Sequence, residues 1–370
     1  MMKKKNKGFI IAGSVILVLV LMIVLIPKIL FTDYEGLPTS GDYAVKTVSA
    51  ITIDESRLES FEADGSNREV PVYFYYPDTE GKKEKSFPLV IFSHGAFGYY
   101  QSNTSTYMEL ASNGYIVVSL DHPYHSFFTM DTEGKTVTVN PEFLQQVMKV
   151  NEESVSEKEV IELSHTWLDT RVADINFVLN SVKEAKETQT LKDEAWYVSD
   201  NETEMEILEI LSMLNTEEIG VMGHSLGGAA SVTIGRTRDD IDAVIDLDGT
   251  MLGEELDYEN GVYEYYEENY PVPLLSLNSQ AHQELSDEAN LLYVNNVVLE
   301  NAMDGQYTYF EGSGHMNFTD LPLFSPVLAS LLGVGEVDAT ECITTMNGVI
   351  LDYFNCYLKD EGTVVIKECY

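Results

Sequence analysis

Ile219-Gly220-Val221-Met222-Gly223-His224-Ser225-Leu226-Gly227-Gly228-Ala229-Ala230-Ser231-Val232 is the stretch on which the reading of this chain turns. A short apolar run, a Gly-x-Ser-x-Gly core and a second run with helical spacing predict a strand, a tight turn and a helix. In such a turn the serine sits at strained backbone angles, and the flanking glycines let strand and helix approach closely. The helix that follows points its N-terminus at the serine, where it favours developing negative charge.

On either side, short β-branched runs alternate with longer amphipathic stretches. Strands are expected near 43–53, 70–76, 89–92, 116–120, 219–222, 243–247, 274–277 and 307–310, and helices near 106–113, 168–181, 228–236 and 322–332. Almost wholly apolar central strands separated by helices imply an α/β domain over 43–370, with a mostly parallel sheet covered on both faces. The first two strands, with no helix between them, form an antiparallel edge. Residues 127–164 and 184–218 are long, acidic and break the alternation. They are read as lid-like insertions over the carboxyl end of the sheet, against the alternative of solvated helices with no part in the chemistry.

The N-terminus carries its own message. Residues 8–27 contain no charged side chain, and some 20 helical residues span the ~30 Å hydrocarbon layer of a bilayer. Lys3, Lys4, Lys5 and Lys7 precede this run, whereas Asp33 and Glu35 follow it, so residues 1–7 are expected in the cytoplasm. A single-pass anchor over 8–31 and a linker over 32–42 would then hold the remaining domain on the extracytoplasmic side of the cell membrane. Secretion after signal cleavage is the alternative, although no Ala-x-Ala-like site follows the apolar run.

A net charge of −39, from 22 basic and 61 acidic residues, excludes nucleic acid as a natural partner, since phosphate binding needs clustered cations. The three cysteines, Cys342, Cys356 and Cys369, all lie near the C-terminus, their pairing left open. No Cys/His spacing points to a metal, and no cofactor is implied.

A serine hydroxyl needs a histidine base, and the base needs a carboxylate to hold its tautomer. Behind a nucleophile elbow the order along the chain is Ser, acid, His. Of the seven histidines only His282 and His315 follow Ser225. His315, in the Gly-flanked loop after the last strand, is the expected base; His282, in a polar and acidic stretch, reads as a surface residue and stands as the alternative. Asp248, at the carboxyl end of the strand 243–247, is the expected acid, with Asp246 and Asp287 as alternatives. Two N–H donors must meet the oxyanion, each worth about 3–4 kcal/mol. The backbone of Leu226 supplies one, and Ala96 in Ser93-His94-Gly95-Ala96-Phe97-Gly98 the other, with His94 a packed loop residue. Phe97, Tyr99, Tyr124 and Phe127, with Tyr100 and Phe128, are candidates for an acyl pocket or for ordinary core.

Several segments taken in order, Phe92-Ser93-His94-Gly95, Asp121-His122-Pro123, Arg171 with Asp174, Gly223 to Gly228, Asp248-Gly249 and His315-Met316-Asn317-Phe318, resemble the platelet-activating-factor acetylhydrolase family of α/β-hydrolases over residues 68–330. Dienelactone hydrolases share much of the pattern. The resemblance implies an α/β-hydrolase fold, a triad acid on the strand after the nucleophile helix, and cofactor-free hydrolysis of short-acyl esters. The expected function is therefore a serine carboxylic ester hydrolase acting on a small-molecule or lipid ester. A peptidase or amidase on the same scaffold, and a catalytically silent membrane-tethered binding module, are the alternatives.

Overall fold

The computed structural model describes residues 30–370 apart from 80–85, 151, 153 and 290–292. Its strands are β1 (Val45–Leu58), β2 (Asn67–Pro77), β3 (Phe87–Ser93), β4 (Ile116–Leu120), β5 (Phe128–Met130), β6 (Thr136–Thr138), β7 (Trp196–Tyr197), β8 (Leu214–His224), β9 (Ala243–Leu247), β10 (Glu255–Glu259), β11 (Val262–Tyr265), β12 (Leu274–Ser279) and β13 (Gly305–Phe310). The helices used below are α1 (Thr104–Ser112), α2 (Pro141–Lys149), α3 (Glu157–Thr188), α4 (Asn201–Met213), α5 (Leu226–Thr237), α6 (Gln280–Ala289), α7 (Val294–Glu300), α8 (Leu321–Phe324), α9 (Pro326–Leu332) and α10 (Ala339–Lys359).

Nine strands form one sheet in the order β13-β12-β9-β8-β3-β4-β2-β1-β7. Pairing is parallel from β4 across to β13 and antiparallel between β1 and β2 and between β2 and β4. Each expected strand is a member of this sheet. Because side chains alternate along a strand, a fully buried strand feeds two cores. In β3, Leu89 and Ile91 join a core with Val178 and Leu179 of α3 and Ala230 and Ile234 of α5. Val90 and Phe92 join the opposite core with Leu110 of α1 and Ile350 and Phe354 of α10.

Where the structure departs from expectation, local chemistry gives the reason. The helix expected at 168–181 runs over Glu157–Thr188, started by the Ser156 side chain accepting from Glu159 N and ended at Gln189 with φ 53°. The helix expected at 322–332 is broken at Ser325, since Pro326 has no N–H to continue the ladder. Helix α10, beyond the expected helices, carries apolar residues Ile343, Met346, Ile350, Phe354 and Leu358 at helical spacing. It seats against Gly220 of β8, where a Cβ would lie 2.6 Å from Phe354.

The two acidic stretches part company. Residues 127–164 supply the β5–β6 hairpin, α2 and the first turns of α3. Residues 184–218, expected over the carboxyl end, lie instead along the far edge and the amino end of the sheet. There β7 pairs with β1, and Glu206 of α4 accepts from Tyr76 at the end of β2. The expected anchor falls on residues that lie outside those described, except for its last two. Among the described residues no helix is long and apolar enough to cross a membrane. Leu30 O accepts from Ser325 Oγ, Thr32 N donates to Phe324 O, and Phe31 stacks on Phe324, so the described chain starts pinned to α8 and α9.

If α10 closes the second core through this contact, Phe354→Ala should lower the unfolding free energy in urea by about 3–5 kcal/mol. A loss under about 1 kcal/mol would show that the helix is not packed on Gly220.

Candidate active site

Strand β8 ends at His224, α5 begins at Leu226, and Ser225 between them has φ 55° and ψ −124°. The turn is this tight because three glycines bring backbones together. A Cβ on Gly223 would lie 2.3 Å from Gly227 C, one on Gly227 2.0 Å from Ser93 O, and one on Gly228 1.9 Å from Asp246 Oδ1. Ser225 N donates to Leu247 O and Ser225 O accepts from Ala229 N, which ties the serine to β9 and to its own helix.

Parallel register sets the neighbours. His224 lies opposite Leu247, and Leu247 opposite Leu277, so the chain leaves β8, β9 and β12 at one rim. Asp248, at φ 52°, emerges there beside Ser225. Its Oδ2 accepts from His315 Nδ1 at 2.7 Å. Its Oδ1 accepts from Ser279 N at 2.6 Å and from His282 Nδ1 at 3.1 Å. Burial opposes charge on Asp248, but the bonds from His282 and His315 outweigh it and hold the carboxyl well below the usual carboxylate range. An ionised acceptor fixes His315 as the Nδ1–H tautomer, which leaves Nε2 with a lone pair.

The other two candidate acids do not reach His315. Asp246 is wholly buried under the turn, with its Oδ1 against Gly228 and Gly249. Burial and the neighbouring Asp248 charge push its carboxyl well above the usual range. Asp287 accepts from Gln283 on α6. His282 corrects the sequence reading, for its side chain is only 8% exposed and both ring nitrogens are engaged, Nδ1 with Asp248 and Nε2 with the Tyr293 hydroxyl at 2.6 Å. Position on α6, rather than the polar neighbours in sequence, turns it inward.

The loop after β3 is held from beneath. Arg171 donates from Nη1 to His94 O and from Nη2 to Gly95 O at 3.2 Å. Asp174, one helical turn on, takes Arg68 at 2.7 Å and His122 at 3.0 Å, and His122 reaches Ser93 Oγ at 2.9 Å. Burial and the Arg171 charge push His122 down to about 4. His94 is fully buried between Gly95 O and Ser126 Oγ, a packed loop residue as expected. Phe97 N and Gly98 N are spent on His125 O and Gly95 O, whereas Ala96 borders the cavity with Leu226.

That cavity, of about 480 Å³, is lined by Ser225, Asp248 and His315 together with Ala96, Leu226, Val147, Trp167, Thr250, Leu252, Leu285, His282 and Tyr293. None of the aromatic residues expected to line it does so. Phe97 packs on Phe143, Tyr99 on Tyr100 and Phe128, and Tyr124 on Phe61 with its hydroxyl donating to Glu62, while Phe127 is 62% exposed. Trp167 and Val147, which do line it, lie on α3 and α2; spacing alone could not tell them from core.

A largely parallel sheet with the serine on a strained strand-to-helix turn, an acid after the next strand and a histidine after the last is an α/β-hydrolase arrangement. Residues 65–363 match the family model "Platelet-activating factor acetylhydrolase, isoform II", and the chain belongs to that family. It is 23% identical to platelet-activating factor acetylhydrolase of Canis lupus familiaris, with 78% of this chain and 60% of that protein covered. The corresponding enzyme of Gallus gallus is 25% identical, over 75% of this chain and 64% of its own length. A probable 1-alkyl-2-acetylglycerophosphocholine esterase of Arthroderma benhamiae is 23% identical over 78% and 65%. The chain thus spans less than two thirds of the length of these relatives. The solved ferulic acid esterase of Streptomyces cinnamoneus shares the fold, with a TM-score of 0.61, 18% identity and coverage of 90% of this chain and 95% of that one.

The depressed His122 gives a signed test. Its folded value of about 4 lies below the unfolded 6.5, so the unfolded state takes up the extra proton and the stability that neutral His122 contributes is lost as pH falls through that window. His122→Asn should destabilise the fold at pH 7, and its deficit against the wild type should shrink by about 2–3 kcal/mol by pH 4. A deficit independent of pH in urea unfolding would mean that His122 is not buried in its neutral form.

Proposed function

We propose that the chain is a serine carboxylic ester hydrolase in which Ser225 is the nucleophile, His315 the base and Asp248 the residue that holds His315. The observation that carries this reading is one cavity bordered by a serine on a strained elbow and by a histidine whose Nδ1 is bonded, at 2.7 Å, to an ionised carboxylate. In the proposed reaction, His315 Nε2 takes the proton from Ser225 Oγ as the oxygen adds to the ester carbonyl. The Leu226 and Ala96 N–H groups meet the oxyanion. Collapse releases the alcohol, protonated by His315, and leaves an acyl-enzyme that water, deprotonated by the same histidine, hydrolyses.

The substrate class follows from the walls. A cavity of about 480 Å³ lies in the lower part of the usual range for ligand pockets, about 300–1,000 Å³. Val147, Trp167, Leu252 and Leu285 make its lining apolar, and the described lining includes no Lys or Arg. Short acyl chains fit such a site, and platelet-activating-factor-like esters are the lipid class that the relatives' names put first. Without a cation for a phosphate, uncharged short-acyl esters should be cleaved as readily. Residues 127–164 contribute through Val147, the part of that stretch proposed to shape the entrance.

The segment 8–31, apolar over 8–27 and with lysines before it, is proposed to anchor the enzyme in the cell membrane with residues 32–370 on the extracytoplasmic side. Digestion of intact cells by an added protease should then remove the activity, and protection of the domain would reverse the orientation.

The full chain in detergent should hydrolyse p-nitrophenyl acetate and butyrate faster than octanoate and react with a fluorophosphonate probe. Ser225→Ala and His315→Ala should lower kcat by about 10⁶-fold, and Asp248→Asn by about 10⁴-fold. Activity retained in Ser225→Ala, or no labelling of Ser225 in a folded wild type, would overturn the assignment.

A further inference from the structure

Asp248 serves two imidazoles. His315 takes Oδ2, and His282 donates to Oδ1 from the opposite side. For a neutral His282 ring the hydrogens on this second arm have one arrangement. Ionised Asp248 only accepts, so His282 Nδ1 carries the hydrogen and neutral Nε2 accepts. The Tyr293 hydroxyl donates to that nitrogen at 2.6 Å, and its oxygen takes the Thr250 hydroxyl at 3.0 Å. Asn295, 1% exposed, donates to Gly249 O and lies 3.5 Å from the same Nε2. His282 is therefore fixed at both ends and has no lone pair left for Ser225, although it borders the same cavity.

We propose that His282 is a positioning residue that acts on the reaction through Asp248. Its N–H, with that of Ser279, occupies Oδ1 and leaves Oδ2 alone to face His315. This fixes the carboxylate plane and disperses part of its charge away from the base. The inference rests on the reading of Asp248 and His315 as the acid and base of the site. The titratable groups facing Asp248 and its two imidazoles are Asp246 from β9, His224 at the end of β8, Tyr293 before α7 and, farther off, Glu255 of β10. The His224 ring lies tilted against that of His315 with ring centres 4.5 Å apart, and burial and the neighbouring His315 push it down to about 3, so it adds no charge near neutral pH.

Two substitutions separate donor from volume. Leucine at 282 fills space and donates nothing; asparagine is smaller but puts an N–H₂ where Nδ1 stands. With His282 gone, Oδ1 keeps only the Ser279 N–H, and more of the carboxylate's charge falls on His315. His282→Leu should therefore lower kcat about tenfold with KM within about twofold, and raise the acid limb of kcat/KM by about half a pH unit. His282→Asn should restore both toward the wild type. Each profile is taken with the full chain on p-nitrophenyl acetate, beside thermal unfolding of each variant to show that it is folded. Wild-type kcat and pH profile in folded His282→Leu would overturn the proposal, and so would rescue by Leu but not by Asn, which would make the residue packing only. Asp248→Asn in the same series distinguishes the two failures: if it keeps full activity, the parent reading falls; if it is inactive while His282→Leu is normal, only this inference does.

Discussion

Holding Ser225 at positive φ is the constraint from which the rest of the site follows. A non-glycine residue in such a region costs about 1–3 kcal/mol and persists only where its surroundings over-determine it. Here they do. The amide is bonded to Leu247 O, the carbonyl to Ala229 N, and the glycines at 223, 227 and 228 bring β3, β8, β9 and α5 to separations that no side chain would allow. The β3 end that Gly227 touches continues into the loop carrying Ala96. The same close approach that strains the serine therefore sets the distance between the two proposed oxyanion donors.

Two carboxylates two residues apart, Asp246 on β9 and Asp248 just past its end, meet opposite electrostatic fates, and the cause is what each can bond. Asp246 is walled in by Gly228 and Gly249, with Ser276 Oγ at 3.4 Å, and the nearby negative charge of Asp248 adds to its burial. Taking up a proton is cheaper than keeping a charge there. Asp248 stands one step nearer the rim, in the left-handed region that Asp tolerates better than most residues, and three N–H groups converge on it. The same neighbourhood thus favours the protonated form of one carboxyl and the ionised form of the other.

Much of this was legible because parallel central strands are short apolar runs and because a nucleophile elbow needs glycines at fixed offsets. The strand assignments and the grouping of Ser225, Asp248 and His315 at one cavity rest on those two signals. The unread parts lack such a signal. Strand β7 is two residues long, too short for any period, so residues 184–218 looked like a free excursion although they extend the sheet edge. Near the β3 loop, aromatic residues looked like pocket walls, but Phe97 turns into the core and Tyr124 toward Glu62. His282 is hidden by its neighbours: Glu284 and Asp287 face outward on α6, and helix phase, which polar composition does not reveal, puts one imidazole on the inner side.

The buried ionic network beneath the β3 loop follows from the same geometry. A loop whose N–H groups must face a cavity turns its carbonyls the other way, into the protein, and buried carbonyls without donors are costly. Arg171, fully buried, satisfies two of them at once with a planar fork that lysine lacks. Its own desolvation is only partly offset by Asp174, which Arg68 and His122 then keep ionised against burial. Such networks are weak evidence for stability, since an apolar replacement of equal volume is often neutral or better. In this fold, however, apolar packing would leave His94 O unpaired and take one of three donors from Gly95 O, which also holds Gly98 N and His94 Nδ1. The network is thus better understood as fixing the direction in which one backbone amide points than as cementing the core.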